Sequence, residues 1–300
     1  MSLTDRVVIV TGGGRGLGRA HCLELGRHGA CVVVNDLGTS GSGEGASSAP
    51  AEDVAQEIRG AGGRAISNGA DIADWDAAGE LVRAAIEAFG GLDAVVNNAG
   101  ILRDRMFVSS SVDEWDAVMR VHLRGHYCLA RQAGEYWRGR AKAGQPVDAR
   151  IVNTSSGAGL QGSVGQSAYS TAKAGIAGLT LVQAAEMGRY GITSNSIAPA
   201  ARTRMTEAVF ADMMAAPDGG FDAMAPENVA PLVAWLCSTE SAHVTGKMFE
   251  VSGGKIVLSD GWRPGAVVDK GQRWELSEVG AAVNGLVAEA PVPMPVYGAR

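Results

Sequence analysis

Tyr169-Ser170-Thr171-Ala172-Lys173 sets a phenol and an ammonium four residues apart. On a helix, that spacing puts both side chains on one face. A free phenol titrates near ~10. A nearby ammonium favours the phenolate and lowers that value. The pair can then take a proton from an alcohol oxygen, or return one to a carbonyl oxygen, near neutral pH. Ser156 lies 13 residues earlier, and its hydroxyl could hold the same substrate oxygen. Taken alone, Tyr-x-x-x-Lys is a frequent chance pattern, equally explained by a surface Tyr and Lys.

A second group of residues suits a dinucleotide. Thr11-Gly12-Gly13-Gly14-Arg15-Gly16-Leu17-Gly18 follows the apolar run Val7-Val8-Ile9-Val10 and opens a helical pattern. Gly12 permits a tight turn, Gly16 lets backbone approach a pyrophosphate, and Gly18 lets the helix pack on the sheet. The helix start around Leu17 offers unpaired N–H groups and a favourable dipole for phosphate. In a chain with 42 glycines, the strand-turn-helix context carries this reading more than the match does. Asp36 ends the second apolar run. A carboxylate there accepts from adenosine ribose hydroxyls and repels the extra phosphate of NADP. Arg15 pulls the other way, since a guanidinium can bind a 2′-phosphate. Asp36 would face the hydroxyls directly, so NAD is expected over NADP. Its alternative is a plain turn residue.

Short apolar runs must position these groups. Val7–Val10, Cys31–Val34, Arg64–Ile66, Ala94–Val96, Arg150–Asn153, Ile192–Ile197 and Met248–Val251 read as about seven strands. Helical patterns lie between them: Gly16–His28, Ala51–Ile58, Asp74–Phe89, a long one over Val112–Gly134, and Gln166–Met187. Strands with little polar alternation are buried on both faces. With helices between them they predict an α/β fold, a doubly wound parallel sheet. Gly38 to Pro50 is Gly/Ser/Ala-rich and is expected to be a flexible surface loop. From Pro264 the rhythm is lost. The tail is either loosely attached or an arm on a neighbouring subunit. The expected division is one domain over 1–262 and a C-terminal extension over 263–300.

The 300 residues can bury a sizeable core without disulfides. A net charge of -6 gives no basic excess for nucleic acid or anionic membrane. No apolar signal region opens the chain at Met1 to Arg6, and no run approaches the ~20 apolar residues of a membrane span. Cys22, Cys31, Cys128 and Cys237 form no CxxC pair, and no His lies at ligand spacing. The expectation is four reduced thiols, no metal site and a cytoplasmic protein. The terminal Gly298-Ala299-Arg300 is not the peroxisomal address Ser-Lys-Leu.

In order along the chain stand Thr11 to Gly18, Asn97-Asn98-Ala99-Gly100, Ser156, Tyr169 to Lys173 and Asn195-Ser196-Ile197-Ala198-Pro199. Together they resemble the short-chain dehydrogenases/reductases over roughly residues 5 to 261. The resemblance implies a single Rossmann-like domain in homodimers or homotetramers. It implies that Asp71 and Ile72 line the adenine and that Asn98 and Gly100 border the cofactor. It also implies that Ile197 to Thr203, with Pro199 and Thr203, cover the nicotinamide. Val34 to Gly38, Asn98 to Arg105, Val121 to Gly125, Arg204 to Thr206 and Ala230 to Cys237 look more narrowly like one group. That group is the dehydrogenase domains of the type 2 peroxisomal multifunctional β-oxidation enzymes. It oxidises (3R)-3-hydroxyacyl-CoA with NAD and includes a 17β-hydroxysteroid dehydrogenase.

His122 departs from the broad family, where many members have an Asn that links Lys to a water chain. His122 is either part of a proton relay or bonds a backbone carbonyl. Ala200 stands where many members have Gly. Met205, Val209, Phe210, Met213 and Met214 form an apolar stripe suited to a lid over an acyl chain or steroid, or to ordinary packing. The expected reaction is NAD-dependent oxidation of a secondary alcohol, with an acyl-CoA or steroid as substrate. A 3-oxoacyl carrier-protein reductase of the same fold is an alternative, which Asp36 opposes. A non-catalytic nucleotide-binding scaffold is opposed by the intact Ser156, Tyr169 and Lys173.

Overall fold

Valine and isoleucine dominate the runs that become strands, because branched side chains pack well on a pleated, buried surface. The computed structural model describes residues 3–203, 217, 219–259, 261 and 263–299. Strand β1 (Val7–Thr11) leads to helix α1 (Gly16–Arg27), then β2 (Cys31–Asn35), α2 (Ala49–Gly60) and β3 (Arg64–Asn68). There follow α3 (Trp75–Phe89), β4 (Ala94–Asn97), α4 (Val112–Met119), α5 (Gly125–Lys142) and β5 (Ala149–Thr154). Then come α6 (Gly157–Gln161), α7 (Ser167–Met187) and β6 (Ile192–Ala200). The last elements are α8 (Ala230–Cys237), β7 (Met248–Ser252), β8 (Lys255–Ser259) and α9 (Leu276–Glu289).

The sheet runs β3-β2-β1-β4-β5-β6-β7-β8. Every pairing is parallel except β7 with β8. The sheet is therefore doubly wound as expected, with eight strands rather than about seven. β8 folds back over Gly253 and Gly254 and pairs Ser252 with Lys255. Its residues are largely exposed, so it lacks the buried run that marked the others.

Alternate residues of each strand feed two cores. Val8, Val10, Val32 and Val34 pack with Leu25, Val54 and Val233 on one face. Val7, Ile9, Val33 and Val95 pack with Leu81, Leu129 and Trp137 on the other. Each such side chain contributes roughly 1.5–3 kcal/mol by leaving water. Local signals set several helix ends. The Asp74 side chain accepts from the Ala77 N–H at the start of α3. Gly90, with φ +83, closes it. Ser111 and Glu114 form a reciprocal capping box on α4.

The long helix expected over Val112–Gly134 is interrupted. Arg120–Arg124 forms a π turn between α4 and α5. The segment after β2 makes hydrogen bonds with β2's end and with the turn after β4. Gly38 N–H donates to Asp36, Ser47 N–H to the Leu37 carbonyl, and Leu102 N–H to the Gly41 carbonyl. The tail contains α9, none of whose side chains is buried. The four cysteines are buried free thiols. No described helix is long and apolar enough to cross a membrane.

Candidate active site

Strand order reverses at β1, where β2 and β3 lie on one side and β4 to β8 on the other. In such sheets ligands bind at the carboxyl ends of the strands at that point. Thr11 and Asn98 stand there and tie the end of β1 to the turn after β4. Thr11 Oγ1 accepts from the Asn98 and Ala99 N–H groups, and Asn98 Nδ2 donates to the Thr11 carbonyl. A cavity of about 900 Å³ opens above them, large for a ligand pocket. Gly12, Arg15, Gly16, Leu17, Gly18, Asp36, Asp71, Ile72, Asn98, Gly100, Pro199 and Thr203 all line it. So do His122, Ser156, Tyr169 and Lys173.

The end of the cavity at α1 fits a dinucleotide. Gly12 and Gly16 have φ +63 and +50, left-handed values that favour glycine. No side chain caps α1, and no acid lies in its first turn. Its first N–H groups are thus left for a ligand phosphate. Asp36 Oδ2 accepts from Gly14 N–H at 2.9 Å, and Oδ1 from Gly38 N–H at 2.7 Å. A carboxylate has lone pairs to spare for ribose hydroxyls after both bonds. Arg15 donates to the Thr39 carbonyl at 3.0 Å. Asp71 pairs with Arg120 at 2.7 Å, which fixes the rim beside Ile72.

The opposite end brings together the residues expected to carry the proton chemistry. Ser156 caps α6, its Oγ accepting from Ala158 N–H at 3.1 Å. The same hydroxyl lies beside the Tyr169 phenol and favours its ionised form. Lys173 lies one helical turn along α7, with its Nζ 5.5 Å from the centre of the Tyr169 ring. That Nζ donates to the Thr154 carbonyl at 2.7 Å, at the end of β5. Burial pushes Lys173 down to about 7.

The phenol differs from the expected picture. Burial pushes Tyr169 above its ordinary range, the Ser156 hydroxyl opposes this, and the Asp104 charge adds to it. Lys173 does not lower the phenol here because its own charge is disfavoured by the same burial. Two adjacent buried groups therefore hold their protons in opposite senses. The ammonium gives its proton up more readily and the phenol less so.

His122 lies in the π turn and is buried. π turns occur often at functional positions. Its Nε2 lies 2.8 Å from the Ile101 carbonyl oxygen and 3.0 Å from the Ile101 nitrogen. Protonated Nε2 donates to the first, and unprotonated Nε2 accepts from the second. Burial, with Lys173 adding to it, pushes His122 down to about 3, so the ring is neutral. Nδ1 is buried with no partner among the described residues. The backbone-carbonyl bond is therefore present, and one nitrogen remains for a further partner.

Residues 6–214 match the short chain dehydrogenase family. A crystal structure of a short chain dehydrogenase from Mycobacterium avium superposes with a TM-score of 0.90 at 58% identity, covering 100% of both chains. The chain belongs to the short-chain dehydrogenase family. As a short-chain dehydrogenase it is an oxidoreductase acting on hydroxyl groups, in a family that uses nicotinamide cofactors. Hydroxyacyl-CoA dehydrogenase ChsB1 of Mycobacterium tuberculosis is 49% identical over 85% of this chain and 80% of its own length. The mouse peroxisomal multifunctional enzyme type 2 is 45% identical over 84% of this chain. The chain spans 32% of that enzyme. A 3-oxoacyl-[acyl-carrier-protein] reductase of Synechocystis is 35% identical over 86% of this chain.

Several lining residues of this dehydrogenase escaped the sequence motifs. Thr39, Gly41 and Gly43 come from the Gly/Ser segment, and Tyr297 comes from the tail. Gln166, at the start of α7, donates to Asp104 at 2.8 Å. None sits in a pattern that spacing could flag. The apolar stripe over Met205 to Met214 and the Arg204 to Thr206 segment lie outside the described residues. No group of three or more His, Cys, Asp or Glu among the described residues could hold a metal.

Proposed function

We propose that this short-chain dehydrogenase oxidises (3R)-3-hydroxyacyl-CoA to 3-oxoacyl-CoA with NAD. One observation carries the reading: the Ser156–Tyr169–Lys173 cluster closes a cavity whose other end presents the Asp36 carboxylate. When bound, the dinucleotide supplies the hydride acceptor and brings the positive charge of its oxidised ring. The protein's residues do the rest. Ser156 holds the alcohol oxygen through its hydroxyl. Tyr169, as phenolate, takes the hydroxyl proton while the carbinol C–H leaves as hydride. Lys173, one turn away and brought to about 7 by burial, is the acceptor for the proton that the Tyr169 phenol gives up to become that phenolate, and its ammonium form then favours the phenolate.

Asp36 supports NAD over NADP, since a 2′-phosphate would meet a carboxylate. Arg15 is already turned to the Thr39 carbonyl. The acyl-CoA class is supported by the names of the Mycobacterium tuberculosis and mouse relatives. The proposal extends to one catalytic domain over 1–262 with an appended 263–300 segment, a homodimer or homotetramer, and cytoplasmic residence. The test is a substrate panel with NAD and NADP: 3-hydroxyacyl-CoAs of several lengths, hydroxysteroids and simple secondary alcohols. Turnover of (3R)-hydroxyacyl-CoA with NAD is expected. Steroid turnover with no acyl-CoA turnover overturns the substrate class.

A further inference from the structure

The C-terminal arm returns to the catalytic end of its own subunit. Ser163 and Tyr297 form a parallel bridge. Val164 N–H donates to the Tyr297 carbonyl at 2.8 Å, and Tyr297 N–H donates to the Gly162 carbonyl at 3.2 Å. Two glycines in left-handed conformations, which favour glycine, flank the bridge, each in ordinary contact distance of a valine across it. A Cβ on Gly162 (φ +79) would meet Val296 at 3.5 Å, and one on Gly298 (φ +76) would meet Val164 at 3.5 Å. The intervening α9 buries no side chain, so this end contact is a principal anchor of the arm.

The Tyr297 phenol lies over Gly157, the residue after Ser156. A Cβ on Gly157 would meet its Oη at 2.7 Å and its Cε2 at 3.1 Å. Gly157 thus leaves the space that the ring fills. Tyr297 lines the same cavity as Ser156, Ser163, Gln166 and Tyr169. It adjoins the catalytic serine after β5, whereas the dinucleotide features stand at β1 and β2. The residue is 44% exposed, so part of its surface remains for a ligand to cover.

We propose that Tyr297 is a specificity-determining residue that contacts the carbon skeleton of the alcohol beside the carbinol. For the substrate class the proposal rests on the function given above. For the contact it rests on the Tyr297–Gly157 packing alone. The test compares the full chain with Tyr297→Ala and Tyr297→Phe. Steady-state turnover runs on whichever alcohol class the wild type oxidises best, beside NAD affinity by calorimetry and a thermal melt. The expected result for Tyr297→Ala is a threefold or larger rise in alcohol KM, with NAD Kd within twofold and an unchanged melt. Retention of wild-type KM by Tyr297→Phe assigns the contact to the ring. A matching rise assigns it to the hydroxyl and overturns the carbon-skeleton contact. An alcohol KM change below threefold in Tyr297→Ala, or an equal change in NAD Kd, overturns the proposal. Steroid turnover in place of acyl-CoA turnover overturns the substrate class but leaves the Tyr297 comparison intact on the steroid.

Discussion

The imidazole of His122 stands edge-on to the phenol of Tyr169, with ring centres 5.3 Å apart and planes at 88°. Gly100 makes that placement possible, because a Cβ there would overlap the imidazole. Gly100→Ala should therefore lower kcat/KM tenfold or more and reduce Tm. In a His122→Ala background the same change should be nearly neutral. A double-mutant cycle should show coupling of about 1 kcal/mol or more, within the range for touching residues. Additive costs would show that the two positions do not compete for space.

Tyr169→Phe removes the hydroxyl proposed to exchange the proton beside Ser156. General acid–base groups contribute about 10²–10⁴-fold, and a loss in kcat at the upper end of that range is expected. NAD affinity, measured by calorimetry, should stay within a few fold. Retention of most activity would move the proton transfer to another group.

Asp36→Ala should narrow the preference for NAD over NADP by about tenfold, or ~1.4 kcal/mol. The kcat/KM ratio for the two dinucleotides measures it. The variant also loses the bonds to Gly14 and Gly38 N–H, so KM for both should rise. An unchanged ratio would take Asp36 out of cofactor choice.

Acid stability is expected to depend on His21, which is buried in α1 with neither ring nitrogen partnered among the described residues. Burial lowers it from 6.5 to about 3. Between those values the unfolded chain binds more protons than the folded one. The stability owed to neutral His21 is present above pH 6.5 and is lost as pH falls toward 3. His122, also pushed down to about 3, acts in the same window. His21→Leu should flatten the fall in Tm between pH 6.5 and 4, and an unchanged slope would exonerate His21.

What was legible in the sequence was local. The glycine turn, Asp36 after β2 and the Tyr169–Lys173 spacing each sit within one strand-turn-helix unit, and short-range periodicity suffices to find them. Three features depend on remote partners and were not legible. The raised Tyr169 reflects desolvation by the packed chain, which outweighs the lowering effect of the Ser156 hydroxyl. β8 exists because a Gly-Gly turn lets an exposed segment pair with β7. Tyr297 reaches the site through a bridge to Ser163, more than a hundred residues away in the chain.

The π turn at Arg120–Arg124 has a consequence for chain length. A π turn holds one residue more than the α turn it replaces. Deleting a single residue there would let α4 and α5 merge into the uninterrupted helix that their periodicity suggests. The flanking turns would keep their faces, while the residues within the former π turn, His122 among them, would be re-aimed. The shortened protein would be more regular in its backbone, and its imidazole would no longer face Ile101 and the phenol. Here the extra residue acts as an angular spacer, and helix continuity is surrendered to aim one ring.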